Sequence, residues 1–417
     1  WSWWSLDLVR DVFASALKPR IFRDREKLLP DYVPGFLPHR ESEIRRVASI
    51  LAPALRGEKP SNIFIYGLTG TGKTAVVRYV LSKLEVTARE AGARVKGVYV
   101  NARYRDTPYR IIADIGEAVG ARIPFTGLSV GEVFGRILKV ISDTKTIYVV
   151  VLDEIDFLAR KRGGDDVLYK LTRINSELRT SRISLIGVTN SADLVESLDP
   201  RVKSSLGEVE LVFPPYNAEQ LKDILEARAR EAFQPGVLEE DIIPLCAALA
   251  AREHGDARRA LDLLRVAGEI AERSGSSKVT RDHVYMAREE IERDRVVDVV
   301  RTLPLHSKLV LASILMVTGG GSGYATTGEV YERYRYLTLK LGIETVTLRR
   351  VSGILAELDM LGVITGRVVS RGRYGKTRVL ELALDPQVLY KTLSEDIALG
   401  DIIDEVGREF GKRSSMR

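Results

Sequence analysis

Two short segments carry residue types that together can hold a nucleoside triphosphate and a divalent cation. The run Gly67-Leu68-Thr69-Gly70-Thr71-Gly72-Lys73-Thr74 fits the spacing G-x-x-x-x-G-K-T, with an additional glycine at 70. Glycines let successive backbone N–H groups turn inward onto phosphate oxygens, and a helix starting at the end of the run adds partial positive charge. Lys73 can reach the β- and γ-phosphates, and the Thr74 hydroxyl can ligate Mg²⁺. Gly67, Thr69, Gly70, Thr71, Gly72, Lys73, Thr74 and Ala75 are therefore the phosphate-side candidates. The second segment is Val149-Val150-Val151-Leu152-Asp153-Glu154. An apolar strand that ends in two acids needs compensating charge, and a cation supplies it. Asp153 would hold Mg²⁺, with Thr74, and Glu154 would polarise the water attacking the γ-phosphate.

Three further positions extend this chemistry. Asn190 ends a third strand and could orient the attacking water; by itself an Asn at a strand end is as well explained by a turn. Arg201 precedes the last strand and could reach the γ-phosphate of a neighbouring subunit. Arg258 lies in the first turn of a helix capped by Asp256, against the helix dipole, where an anion such as a nucleotide phosphate would fit it. An ion pair with Asp256 is the competing explanation. Asp153, Glu154, Asn190 and Arg201 form the candidate catalytic set.

Elements of matching type surround these residues. Strand-like runs rich in Val, Ile and aromatics cover 62–66, 95–101, 146–152, 184–189 and 208–213, with helical patterns between most of them. Such alternation predicts a parallel sheet covered on both faces, hence an α/β fold. Strands vanish after residue 217, and helical patterns over 218–233, 242–252 and 257–274, with another from Arg281, predict a small helical domain. A third region starts at Pro304. It reads as helices over 306–317 and 327–341 and a third helix starting near Thr345 as N-cap. Leu348, Val351, Leu355 and Leu358 mark the buried face of that helix. Strand-like runs at 363–370 and 376–384 flank a tip at 372–375, so three helices and a β-hairpin make a winged helix-turn-helix.

The chain has 417 residues, 45% of them apolar and 29% charged, so it predicts several globular domains rather than disorder. Its apolar runs are too short to span a bilayer, and no basic-then-apolar leader suggests secretion. Cys246 is alone and four His are scattered, which argues against a disulfide or a Cys/His metal site. All three tryptophans (Trp1, Trp3, Trp4) lie in the first four residues, and the sequence assigns them no role.

The five elements, in this order, resemble the AAA+ ATPases: Walker A, Walker B, sensor 1, box VII arginine and sensor 2. Additional wording narrows the match: Tyr32-Val33-Pro34, Leu37-Pro38-His39-Arg40-Glu41, Leu152-Asp153-Glu154-Ile155-Asp156, Phe213-Pro214-Pro215-Tyr216 and Gly255-Asp256-Ala257-Arg258-Arg259-Ala260-Leu261. Over about residues 20–395 the chain is similar to archaeal replication initiators of the origin-recognition/cell-division-cycle family. The resemblance implies adenine-side roles for Val33, Pro34, Leu37 and Arg40, and nucleotide contacts for Tyr216 and Arg228. It implies DNA contacts from an inserted helical element, here Arg122, Thr126 and Gly127. ATP/ADP and Mg²⁺ are the implied cofactors. Double-stranded origin DNA, a replicative helicase of the minichromosome-maintenance type and other initiator paralogues on DNA are the implied partners. A cytoplasmic, nucleoid-associated location and weak ATPase activity, used as a switch, complete the expectation.

In a winged helix the third helix enters the major groove and the wing reaches the backbone or minor groove. Thr345, Thr347, Arg349, Arg350 and Ser352 lie opposite the apolar stripe, and the wing holds Arg367, Arg371, Arg373, Lys376 and Arg378, with Tyr374 at its tip. The charge distribution agrees: residues 301–380 hold 12 basic and 5 acidic groups, a net +7, within a whole-chain charge of +6. Residues 1–300 are nearly neutral, with 46 basic and 44 acidic groups. The domains expected are an arm (1–30), the nucleotide-binding base (31–215), a helical lid (216–298), the winged helix (299–395) and a tail (396–417). A nucleotide-switched winged-helix transcription regulator is the alternative reading; it would need a sensor module that the sequence does not display.

Overall fold

The computed structural model describes residues 21–191, 194, 198–318, 323–370, 376–399, 402 and 406–408. The tryptophan cluster lies outside them. The chain divides into two compact units, Trp1–Tyr285 and Met286–Arg417.

The first unit is built on five strands: β1 (Ile63–Tyr66), β2 (Val95–Asn101), β3 (Ile147–Asp153), β4 (Arg182–Thr189) and β5 (Val209–Val212). All pairs are parallel, in the order β2-β3-β4-β1-β5. Side chains alternate between the faces, so both faces must be covered. Val149 and Val151 join Ile63 and Ile65 against α2 (Lys73–Glu90), together with α1 (Glu41–Leu51). Val150 and Leu152 join Phe64 on the other face. There they meet Ile111 and Ile115 of α3 (Pro108–Val119) and Ile137 of α4 (Val130–Ile141). This two-sided burial explains why β3 is apolar at every position before its terminal Asp. The short α5 (Asp156–Ala159), α6 (Gly164–Arg173) and α7 (Pro200–Leu206) complete this face.

Register decides where chemistry can gather. Asn101 lies level with Asp153, and Tyr66 lies level with Thr189 and Val212. The carboxyl ends of the strands therefore share one edge, where ligands of open parallel sheets bind. A helical layer follows: α8 (Ala218–Ala232), α9 (Ile242–Arg252) and α10 (Ala257–Arg273). The stretch from Ile21 is tied to α8, with the Arg23 and Asp24 amides donating to the Ala232 carbonyl and the Phe22 and Phe233 rings 4.8 Å apart.

In the second unit, α11 (Arg281–Thr302, which starts in the first), α12 (Leu305–Thr318), α13 (Thr327–Leu341) and α14 (Leu348–Met360) precede a hairpin of β7 (Ile364–Ser370) and β8 (Lys376–Leu382). Two elements were not anticipated. A two-residue strand, β6 (Ala325–Thr326), gives the sheet order β6-β8-β7, and α15 (Pro386–Ser394) adds Leu389 and Leu393 to the core. The third helix also starts later than expected. The Thr345 hydroxyl pairs with that of Thr338 at 2.7 Å, and Thr347 is the N-cap, accepting from the Arg350 amide. Val351, Leu355 and Leu358 are buried as the periodicity requires, whereas Leu348 is 46% exposed. Among the described residues no helix is long and apolar enough to cross a membrane.

Candidate functional site

A cavity of about 820 Å³ lies at the carboxyl edge of the sheet of the first unit. Gly70 to Ala75 form its floor. Two glycines of this turn are demanded by packing as well as by backbone conformation. Gly70 (φ +73°) lies against Asp256, whose Oδ1 would be 1.7 Å from an added Cβ, and Gly72 (φ +86°) lies under the Tyr216 hydroxyl, 2.7 Å from one. The Ala257 amide donates to the Gly70 carbonyl at 3.1 Å. The additional glycine of the motif thus admits the helical layer. Gly67 and Thr69 belong to the same turn but do not line the cavity. Lys73 donates to the carbonyls of Gly67 (2.8 Å) and Leu68 (2.6 Å). Burial pushes its ammonium down to about 8, with nearby Asp153 opposing the shift.

The two acids behave differently. Asp153 Oδ2 accepts from the Thr74 hydroxyl (2.8 Å) and the Tyr99 hydroxyl (2.6 Å), and its Oδ1 accepts from the Glu154 amide (2.9 Å). Thr74 and Asp153, 79 positions apart in sequence, are thus brought into contact. A hydroxyl and a carboxylate oxygen at a cavity wall are the hard donors that Mg²⁺ accepts. Glu154 has φ +51°, rare for a residue with a side chain, and its Oε2 is buried without a hydrogen-bond partner. Burial holds its carboxyl above its ordinary value, while Arg103 at 3.8 Å pulls the other way. Asn190 lines the same cavity.

Val33, Pro34 and Leu37 form an apolar wall of the cavity, and Tyr216, Arg228 and Arg258 also line it. Burial pushes the Tyr216 phenol up to about 12. Asp256 spends its Oδ1 on the amides of Arg258 and Arg259, capping α10. Arg40 does not line the cavity. It is 2% exposed, stacks on Tyr216 at 3.9 Å, and donates to the carbonyls of Thr71 (2.9 Å) and Pro214 (2.6 Å). It braces the turn around Thr71 from behind. Arg228 directs its donors at the carbonyls of Lys27 and Tyr32 and stacks on the Tyr32 ring at 4.6 Å, so it holds the wall in place.

Arg201 is not brought to this cavity. It is 65% exposed, bonded to Asp199 and stacked on Tyr169 at 4.7 Å. The bonded guanidinium draws the Asp199 carboxyl down to about 2, so the pair stays charged. Arg122, Thr126 and Gly127 lie in an exposed loop between α3 and α4. The loop is tied by its carbonyls, Arg122 to Arg136 and Phe125 to Arg110, with Phe125 72% exposed. Two residues that sequence reasoning missed are Tyr99, on Asp153, and Arg103, beside Glu154. Their one sequence signal is a place at the carboxyl end of a strand; that this strand is the neighbour of β3 is not written locally.

The second unit carries the basic candidates. Thr347 and Arg349 are exposed at the start of α14, while the Thr345 hydroxyl is engaged with Thr338. Arg350 pairs with Glu357 at 3.5 Å, and Arg367 pairs with Glu381. Lys376 opens β8 opposite Ser370. Arg371, Arg373 and Tyr374 lie outside the described residues.

Three family models match successive stretches of the chain. They are an AAA domain over 56–195, a Cdc6 AAA+ ATPase-type lid domain over 222–289 and a CDC6 C-terminal winged helix domain over 298–392. The chain is 66% identical over 389 residues to the ORC1-type DNA replication protein 1 of Aeropyrum pernix, covering 93% of this chain and 98% of that one. It is 58% identical over 389 residues to the protein of that name from Sulfolobus acidocaldarius, covering 93% and 97%. The solved structure of Aeropyrum pernix ORC1 in complex with DNA matches with a TM-score of 0.79, covering 92% of this chain and 99% of that one. The architecture is thus an AAA+ parallel-sheet base, a helical lid and a C-terminal winged helix.

Proposed function

Because the chain belongs to the family of ORC1-type DNA replication proteins, we propose that this initiator binds double-stranded origin DNA and recruits a replicative helicase of the minichromosome-maintenance type, with ATP binding and slow hydrolysis as its switch. The observation that carries the nucleotide half is the convergence of Lys73, the Thr74–Asp153 contact, Glu154, Asn190 and Arg258 on one cavity. The DNA half draws on the net +7 of residues 301–380 and on the DNA complex of the Aeropyrum relative. The location that follows is cytoplasmic and nucleoid-associated.

In this reading Val33, Pro34 and Leu37 face the adenine, and the Gly70–Thr74 amides and Lys73 hold the phosphates. Thr74 and Asp153 would hold Mg²⁺, which neutralises phosphate charge when bound. Glu154 orients the attacking water and takes up part of its proton, and Asn190 fixes that water from the side. Arg258 reaches the phosphates from the lid, so the state of the nucleotide is felt by a helix outside the sheet. Arg201 serves a neighbouring initiator on the same DNA, which leaves turnover by the isolated chain slow.

Footprinting on duplex DNA is the test. Protection of replication-origin repeats supports the initiator; protection confined to promoters would favour a transcription regulator instead. Two variants test the parts. Tyr99→Phe removes one of two hydroxyl donors to Asp153 Oδ2, and loss of such an outer partner costs metal affinity roughly tenfold or more. The Mg²⁺ concentration for half-maximal hydrolysis should rise accordingly, while Mg²⁺-free ADP binding stays unchanged. Replacing Arg371 and Arg373 together by Ala should weaken duplex binding across sequences and lower the slope of log K against log salt by about 2. An unchanged slope would remove the wing from the interface.

A further inference from the structure

One carboxylate fastens the hairpin of the second unit to the helix beside it. Asp359 lies in the last turn of α14, and both of its oxygens face the hairpin. Oδ1 accepts from the Gly366 amide on β7 at 3.2 Å, and Oδ2 accepts from Arg378 Nη2 on β8 at 2.6 Å. In the ladder Gly366 opposes Leu380 and Arg378 opposes Val368, so Arg378 lies diagonally across from Gly366. A Cβ at position 366 would stand 2.5 Å from Arg378 Nε. Glycine therefore keeps open the lane by which Arg378 crosses β7 to reach Asp359.

The position of this contact gives it leverage. Val363 and Ile364 are buried at the base of β7, whereas Arg367, three residues on, is exposed. Asp359 grips the hairpin where it leaves the core. The two side chains of the pair are only 29% and 31% exposed, and a short charge-assisted bond with restricted solvent access holds geometry better than an exposed pair. Arg367–Glu381 differs, because it joins β7 to β8 without reaching the helix.

We propose that Asp359 is a positioning residue that sets the wing on α14, and that Arg378 is a structural cation withdrawn from the phosphate-contacting set. This rests on the reading of the second unit as a duplex-DNA binder. It makes an unusual prediction of sign. Coulomb's law alone has loss of an acid beside a DNA-facing hairpin tighten binding, and loss of an arginine weaken it. A positioning role has both changes weaken binding.

The experiment compares Asp359→Ala, Arg378→Gln, the double variant and Gly366→Ala in the full chain. Duplex affinity, hydroxyl-radical footprints and hydrogen exchange without DNA are measured. Each single variant should lose affinity about tenfold and lose the wing-side protections while keeping those of α14, and the double variant should be no worse than either single, as expected of one shared device. Gly366→Ala, which changes no charge, should reproduce the loss. The Gly366 amide should exchange faster in Asp359→Ala while α12 stays protected. Equal or tighter binding by Asp359→Ala would overturn the proposal, as would loss of protection throughout α12, which would make the residue merely a stabiliser. Failure of the parent chain to bind duplex DNA would instead overturn the reading beneath it, and the Gly366 exchange rate would still decide whether the clamp exists.

Discussion

Lys73→Ala should lower affinity for ADP and ATP by roughly 100-fold or more, read by calorimetry. The side chain is 5% exposed, and its partners are the carbonyls of Gly67 and Leu68 and the Thr71 hydroxyl, none of them anionic. Burial has already brought its pKa down to about 8, so the folded chain bears a cost for keeping this ammonium charged. Phosphate oxygens would repay that cost, and truncating one member of a buried, hydrogen-bonded charge pair typically loses about 2–5 kcal/mol. The fold should not suffer, since the substitution removes an under-compensated cation. Thermal unfolding separates the two effects. ADP at about 100 times the parent's Kd should stabilise the parent by ~2.7 kcal/mol and the variant by no more than ~0.4 kcal/mol. Parent-like ADP affinity in the variant would take Lys73 out of the phosphate site.

Glu154→Gln should retain nucleotide binding and slow hydrolysis by about 10²–10⁴-fold, the usual weight of a positioned general base. The exchange preserves shape while removing the charge and turning one acceptor oxygen into an NH2 donor, so the group can no longer take a proton from water and a change in single-turnover rate reports on water activation. Glu154 has the marks of a residue kept for chemistry at some expense of stability: positive φ, one buried oxygen without a partner, and a carboxyl that burial makes harder to ionise. The neutral amide escapes the last of these. The variant should therefore unfold at the same temperature as the parent or a higher one, with ATP trapped for longer in the site. Hydrolysis at the parent rate would assign the water to another group.

The two substitutions test residues that the sequence displays openly, because a phosphate loop and a strand ending in Asp-Glu are each written in contiguous residues. The same holds for the alternation of strands and helices, the helical stretch after residue 217 and the basic composition of residues 301–380. These are local properties: β-branched runs, glycines at turns, caps and charge counts need no knowledge of distant partners. Four features could not be read this way. Tyr99 reaches Asp153 only because β2 packs beside β3, and strand order follows from how the crossovers pack. Arg40 and Arg228 carry the composition of ligand contacts; in the fold Arg40 is buried on backbone carbonyls outside the cavity, whereas Arg228 lines the cavity while also donating to carbonyls of a distant segment. Thr345 has the residue type of an N-cap, but a hydroxyl partner seven residues back moves the helix start to Leu348. On the hairpin, Arg367 and Arg378 count as positive charge in the sequence but are tied to Glu381 and Asp359 in the fold. Sequence thus determined which groups were available and the elements that carry them. Tertiary structure decided which of them remain free to meet a ligand, because a polar group that leaves water takes the partner that packing places within hydrogen-bond reach.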